Sequence, residues 1–318
     1  MPYNTSATAY APGGIGNLGP GLDILGCALE GMGDTVVVRW SEQPGVVVAD
    51  PGHPALPREP DRNAAALAAS AVLARAAALG AELAAPGVEL CVVKGLAIAA
   101  GQGGSAASAV AAAVAVNALL GNPLSSNELM AAALVSEERL AGRHLDNIAP
   151  ALLGGIVLVR ATDPIETVAL PVPDSLYFAL ATPRYQLATA RARAALPTQV
   201  ALPVVLHQAA QVGAIVAACH RGDLALLGRA LDDRIAEPAR AALLPGFNSA
   251  KAAALQAGAL GASISGAGPT AFAVCGSAVT AAAVARAMEA AYRTAGLECE
   301  ARVARPDRRG ARLLEASA

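Results

Sequence analysis

The segment Gly101-Gln102-Gly103-Gly104-Ser105-Ala106-Ala107-Ser108 carries the most legible chemistry in this 318-residue chain. Three glycines ahead of an alanine-rich run mark a loop that opens a helix. There, successive backbone N–H groups and the positive end of the helix dipole can hold an anion such as a phosphate. Glycine suits the task because a Cβ would keep the phosphate away from the backbone. No Gly-Lys-Ser/Thr closes the segment, so it is not a Walker A loop. Taken alone, it fits an anion site and a tightly packed helix start equally well. A second Gly/Pro-rich stretch, Pro12 to Gly26, is long enough to suggest a functional loop.

These segments need elements to position them. Ala7 to Ala11 and the β-branched Thr35 to Trp40 read as strands flanking the first loop. Arg62 to Leu79 reads as an alanine-rich helix and Val88 to Lys94 as a strand. The Gly95 to Gly104 loop then feeds a helix from Ser105 to Leu120, which Gly121-Asn122-Pro123 must stop. Ser125 and Glu128 form a capping-box pattern that starts the next helix, running to Leu140 and Gly142. Ile156 to Arg160 and Ser175 to Thr182 read as strands, with a domain boundary within Thr162 to Pro173. Beyond it, helices are expected at Leu202–Cys219, Leu224–Asp233, Ser249–Gln256 and Val279–Ala295. Strands are expected at Ala262–Ser265, Phe272–Cys275 and Glu298–Val303. This alternation predicts an α+β unit.

Composition limits the function. The net charge is -2 and no basic stripe is present, which argues against a nucleic-acid partner. The five cysteines are far apart, as expected of free thiols in a reducing cytoplasm rather than of a metal or disulfide framework. The N-terminus shows no signal-peptide pattern. The most membrane-like stretch, Ser105 to Val116, is too short to span a bilayer. A cytoplasmic protein with no membrane partner is expected. Hydrophobic residues make up 55% of the chain, largely as alanine, which favours closely packed helices over an aromatic binding surface.

The glycine loop resembles the Pro-x-x-x-Gly-Leu-Gly-Ser-Ser-Ala-Ala phosphate loop of the GHMP kinases. Five further segments resemble the homoserine kinase branch of that superfamily, in order along the chain. Ala11-Pro12 with Asn17-Leu18-Gly19-Pro20-Gly21-Leu22-Asp23 is similar to its first signature. Gly142 to Gly155, containing His144-Leu145-Asp146-Asn147-Ile148-Ala149-Pro150, is similar to its His-x-Asp-Asn-Val-Ala-Pro segment. Thr189-Ala190-Arg191-Ala192-Arg193 leading to Leu196-Pro197, Glu237-Pro238-Ala239-Arg240, and Ser265-Gly266-Ala267-Gly268-Pro269-Thr270 complete the set.

The resemblance implies a two-domain GHMP kinase fold of the α+β class. An N-terminal α/β nucleotide-binding domain (1–162) would hold the phosphate loop, followed by a C-terminal ferredoxin-like domain (163–318). It implies ATP and Mg2+ as cofactors and a small amino alcohol, L-homoserine, as substrate. Asp23 and Asp146 would face the substrate ammonium, Arg193 and Arg240 its carboxylate, and Asn17 with Thr189 the remainder. His144 and Gly266 would also line the substrate site. Gly101, Gly103, Gly104, Ser105, Ala106, Ala107 and Ser108 would cradle the phosphates, with Asn63 and Lys94 near the base. Ser105 and Glu137 would hold magnesium. Considered singly, these residues have simpler readings too: Asp146 and Asn147 as caps, Arg193 as a solvated charge, Arg240 paired with Glu237.

Some positions depart from the family pattern. Gly14, Ile15 and Gly104 stand where the family has serines, and Leu22 replaces its usual Phe. Backbone N–H groups survive these changes, so an active enzyme with altered nucleotide affinity is expected. No residue is an obvious catalytic base, and in-line attack without a dedicated carboxylate base, with Asn17 placing the hydroxyl, is the expected route. Two alternatives remain at this point: a GHMP kinase for another small alcohol, and a GHMP-fold ligand sensor without turnover. A homodimer is compatible with all of these readings.

Overall fold

The computed structural model describes residues 4–317. The chain begins with β1 (Ser6–Gly16), β2 (Leu25–Ser41), β3 (Gly45–Asp50), α1 (Ala64–Ala78) and β4 (Gly87–Val93). Next come α2 (Gly104–Leu119), α3 (Ser126–Leu140), α4 (Ile148–Leu153), β5 (Ile156–Thr162) and β6 (Ile165–Leu170). The second half holds β7 (Tyr177–Pro183), α5 (Thr189–Ala194), α6 (Leu202–Arg221), α7 (Leu224–Arg229), α8 (Ala236–Ala241) and α9 (Phe247–Gln256). It ends with β8 (Gly261–Ile264), β9 (Ala271–Cys275), α10 (Ala278–Thr294), β10 (Cys299–Ala304) and β11 (Arg312–Ser317).

Two sheets organise these elements. The first has seven strands, in the order β11-β1-β2-β4-β3, with β5 and β6 attached where the N-terminal end of β2 pairs with β5. Its pairs are antiparallel except β3 with β4, which α1 connects. The second sheet is antiparallel, in the order β10-β7-β9-β8. With two strands entered through helices, that order is the ferredoxin-like arrangement, and the chain as a whole has the expected α+β fold. A cut between residues 162 and 163 passes through the tip of the β5–β6 hairpin, and β11 returns from the far end of the chain to pair with β1. The first sheet therefore draws strands from both sides of that cut.

Alternation along the strands sorts side chains into three cores. Val36 and Val38 of β2 and Val88, Leu90 and Val92 of β4 face the buried alanines of α1 and α2. Such small side chains let helix and sheet backbones approach closely, and alanine has the highest helix propensity. On β7, Phe178 and Leu180 point to one side, with Ile15, Leu25 and Ile156 of the first sheet and Ile215 of α6. Ala179 and Ala181 point to the other side, toward α9 and α10. The middle core joins the two sheets. Within it Phe178 and Phe272 meet edge to face at 6.0 Å between ring centres.

Several elements differ from the sequence expectation. β1 continues through Pro12 to Gly16, so the open loop is only residues 17–24. Proline is tolerated there because the β1–β2 register shifts between Pro12 and Gly14. The strand needs glycine next to it: a Cβ on Gly14 would sit 2.4 Å from the Cys27 carbonyl oxygen. Residues 162–173, read as a boundary, contain β6. Helix α6 is a full 20 residues and is long and apolar enough by composition to cross a membrane, unlike the stretch singled out above. Its buried face is nonetheless partly polar: Gln208 donates to the Pro20 carbonyl at 2.9 Å and to Asp233 Oδ1 at 2.7 Å.

Candidate active site

A cavity of about 300 Å3 is bounded by the N-termini of α1 and α2, the end of α3, the loop 17–24 and the turn 265–270. Ser105 is exposed at the first turn of α2, while Ala106 and Ala107 turn into the core behind it. Gly101 and Gly103 have φ of +74° and +70°, which only glycine adopts without strain. At Gly101 space is short as well: a Cβ would meet the Gly268 and Ser265 carbonyl oxygens at 2.5 and 2.6 Å. Gly104 is different, since its nearest neighbour for a Cβ is Lys94 Nζ at 3.5 Å, an ordinary contact.

Lys94 and Asn63 line the same end of the cavity with their polar atoms already engaged. Asn63 caps α1 through Oδ1, accepting from the Ala66 N–H at 3.2 Å, and its amide donates to the Pro57 carbonyl at 2.8 Å. Lys94 forms an ion pair with Asp34 and donates to the Gly104 carbonyl at 3.2 Å and Ser108 Oγ at 3.1 Å. Asp34 is fully buried. Its Oδ1 accepts from the Gly95 and Leu96 N–H groups, and Ser108 Oγ donates at 2.6 Å to Oδ2, the oxygen paired with Lys94. Asp34 thus ties β2, the lead into the phosphate loop and the first turn of α2 together. Sequence reasoning passed over it by starting the strand at Thr35. The available signal was a carboxylate inside a strand otherwise rich in valine, a residue type that strands disfavour.

At the opposite end, the loop after β1 holds Asn17 and Asp23 at positive φ, +67° and +64°. Non-glycine residues in that region are held there by their surroundings, often at functional sites. Here the Asn17 N–H donates to Asp146 Oδ2 at 3.0 Å, its amide donates to the Gly266 carbonyl at 3.2 Å, and its Oδ1 accepts from the Asp23 N–H at 3.2 Å. Arg193 of α5 grips Asp23 through two parallel bonds of 2.6 and 2.8 Å. Both partners are about a third exposed, so the pair contributes little stability and is open to exchange. Arg240 of α8 is buried; its Nη1 donates to the Gly266 carbonyl at 2.8 Å. Glu237 pairs instead with Lys251 and accepts from Ser263. Thr189 opens α5, and its side chain lies outside the described part of the structure.

Between the two ends lie Glu137, His144 and Asp146, all buried. His144 Nδ1 is 3.1 Å from Asp146 Oδ1 and 3.6 Å from Glu137 Oε1. Burial opposes charging His144, but the hydrogen bond and charge of Asp146, with Glu137 behind, outweigh it and raise the imidazole pKa. Glu137 is pushed up to about 7, chiefly by burial, which His144 only partly offsets. Arg240 is held below the usual range by burial and by the neighbouring Arg193. His144 Nε2 and Arg240 Nε are buried without a hydrogen-bond partner among the described residues. Unmatched buried polar atoms are costly, and both line the cavity.

Glu137 is one residue that could hold a divalent cation. Asp23, His144 and Asp146 also bring ligand atoms within 4.8 Å of one another, but Asp23 is neutralised by Arg193 and Asp146 is paired with His144. Glu137 carries the carboxylate whose charge is least compensated. With the Ser105 hydroxyl on the same cavity it offers the oxygen donors that magnesium prefers.

Comparison with known proteins assigns this arrangement to a class. The GHMP kinases N terminal domain matches residues 64–155 and the GHMP kinases C terminal domain matches residues 215–294, so the fold and its glycine loop are those of the GHMP kinases. The chain is 43% identical to a homoserine kinase of Xanthomonas campestris pv. campestris (strain B100), over 97% of this chain and 94% of that one. It is 41% identical to one of Arabidopsis thaliana, over 98% and 86%. The crystal structure of homoserine kinase from Cytophaga hutchinsonii superposes with a TM-score of 0.91 at 36% identity, covering 99% of both chains. The chain belongs to the homoserine kinase family.

Proposed function

We propose that this chain transfers the γ-phosphoryl group of ATP to the side-chain hydroxyl of L-homoserine, giving ADP and O-phospho-L-homoserine for threonine biosynthesis. The observation that carries the reading is the charge pattern beside the glycine loop. Two carboxylates, Asp23 and Asp146, and two guanidiniums, Arg193 and Arg240, border one cavity. A zwitterionic amino acid satisfies both signs at once, whereas an alcohol with a carboxylate alone leaves the acids unmatched. In this reading the substrate ammonium takes Arg193's place on Asp23, freeing that guanidinium to join Arg240 on the carboxylate. The unpartnered Arg240 Nε supports the assignment.

In the same proposal Gly101 to Ser108 hold the phosphates with backbone N–H groups. Ser105 and Glu137 would hold Mg2+, which supplies neutralisation of phosphate charge when bound. Lys94 and Asn63 shape the nucleotide end through the bonds they already make. Asn17, fixed by Asp146 and Gly266, and His144, with Nε2 on the cavity, orient the hydroxyl. Catalysis then rests on positioning and charge neutralisation, with no dedicated carboxylate base. The five cysteines are free thiols, which supports a reducing, cytoplasmic location. A homodimer is part of the proposal, to be checked by light scattering.

The test is ADP release with MgATP and three acceptors: L-homoserine, 4-hydroxybutanoate lacking the ammonium, and 3-aminopropan-1-ol lacking the carboxylate. Homoserine is expected to exceed either by at least about 100-fold in kcat/KM, since each loss leaves a charged group on the cavity unmatched. Equal use of 4-hydroxybutanoate would overturn the substrate assignment.

A further inference from the structure

The resembled phosphate loop carries leucine where this chain has Gln102, and Gln102 is buried rather than facing the nucleotide. Its side-chain amide donates to Thr182 Oγ1 of β7 at 2.9 Å and to Thr270 Oγ1 at 3.2 Å. The two threonine hydroxyls are 2.9 Å apart, and Thr270 Oγ1 donates to the Ala100 carbonyl at 2.6 Å. A hydroxyl has a single hydrogen. Thr270 spends its own on Ala100, so Thr182 is the donor between the threonines. The proton direction is therefore fixed along the relay, from Gln102 to Thr182 to Thr270 to the Ala100 carbonyl.

This relay ends on the backbone that shapes the phosphate loop. The Ala100 carbonyl also accepts from the Thr270 N–H at 3.2 Å, the Gly101 carbonyl accepts from Ser265 Oγ at 2.7 Å, and the Gln102 carbonyl accepts from the Gly14 N–H at 3.0 Å. Three consecutive carbonyls are thus tied back, two to the turn between β8 and β9 and one to β1. In a planar trans peptide the N–H points opposite to the carbonyl. The N–H groups of Gly101, Gln102 and Gly103 are consequently turned away from those anchors, and Gly101 and Gly103 border the cavity.

We propose that Gln102 is a positioning residue for the phosphate donor: through Thr182 and Thr270 it locks residues 100–102 to the second sheet and so sets the loop N–H groups for the nucleotide. Leucine cannot donate, so a loop with the resembled motif's leucine lacks this lock. The inference rests on the reading of the cavity as an ATP site.

The experiment measures KM for ATP and for homoserine, kcat, and MgATP binding by calorimetry, for Gln102→Leu, Thr182→Val, Thr182→Ser and the double variant Gln102→Leu/Thr182→Val. Gln102→Leu and Thr182→Val each break two buried hydrogen bonds of the relay and are each expected to raise KM for ATP about tenfold while KM for homoserine stays within about twofold. Thr182→Ser keeps the relay and should restore KM for ATP. The double variant should be no worse than the worse single one, because both break the same chain. Folded variants with unchanged KM for ATP, or a serine variant as impaired as the valine one, would overturn the proposal. Should Gln102→Leu fail to fold, the near-isosteric Thr182→Val and Thr182→Ser pair decides. A wild-type protein that neither binds MgATP nor releases ADP would instead remove the ATP reading, and the inference with it.

Discussion

Glu137→Gln should make the protein more stable above pH 7 while abolishing most of its turnover. The carboxyl is buried at the end of α3, and burial, which the positive charges of His144 and Arg193 only partly offset, raises its pKa from 4.5 to about 7. Between those values the folded state holds a proton that the unfolded chain has released. Stability therefore falls as pH rises from 4.5 through 7. At 1.36 kcal/mol per unit, the loss is up to about 3 kcal/mol. Glutamine has nearly the same shape and does not titrate, so the variant escapes it. For a chain this long, that corresponds to a melting temperature about 4 °C higher than wild type at pH 8, relative to the difference between the two at pH 4.5. Denaturant unfolding without metal, followed across pH 4.5 to 8, reads the effect directly. Added MgATP should narrow the gap, because it stabilises only the protein that retains the carboxylate. A variant that gains nothing over wild type between pH 4.5 and pH 8 would refute the assignment of an uncompensated carboxylate at this position.

Other perturbations separate the two ends of the cavity. Arg240→Ala should raise KM for homoserine by about 100-fold and leave KM for ATP within about threefold, since its guanidinium reaches the substrate end only; steady-state kinetics with each substrate varied would show it, and equal rises would contradict it. Gly101→Ala places a methyl against two carbonyl oxygens at positive φ. It should cost at least about 2 kcal/mol in urea unfolding and remove nucleotide binding. Asp34→Ala leaves Lys94 buried without its partner and should cost about 3–5 kcal/mol, seen as a shifted denaturation midpoint.

The sequence made the phosphate loop, the Ser125 capping box and most helices legible because their signals are local. Ser125 does accept from the Glu128 N–H, and Glu128 reaches back to the Ser125 N–H. Ends and edges were less legible. β6 and β11 are six residues each, and β11 acquires its role only by pairing with β1 some 300 positions away, a contact no local pattern encodes. Short helices α5 and α8 have too few turns for periodicity to emerge, although both carry candidate arginines. The extension of β1 through Gly13 and Gly14 was hidden because glycine and proline usually mark loops, whereas here the close packing against Cys27 and Leu96 requires glycine. Asp34 and Gln102 were missed for a common reason. Neither faces the cavity by sequence position, and each acts through partners distant in the chain, Lys94 and Ser108 for one, Thr182 and Thr270 for the other.

Transfer itself is tested most directly by phosphorus NMR of a reaction containing MgATP and L-homoserine. A phosphomonoester resonance coupled to the side-chain methylene of homoserine should grow in equal amount with ADP. Release of inorganic phosphate without that ester, or an ester only on a different acceptor, would contradict the proposed reaction.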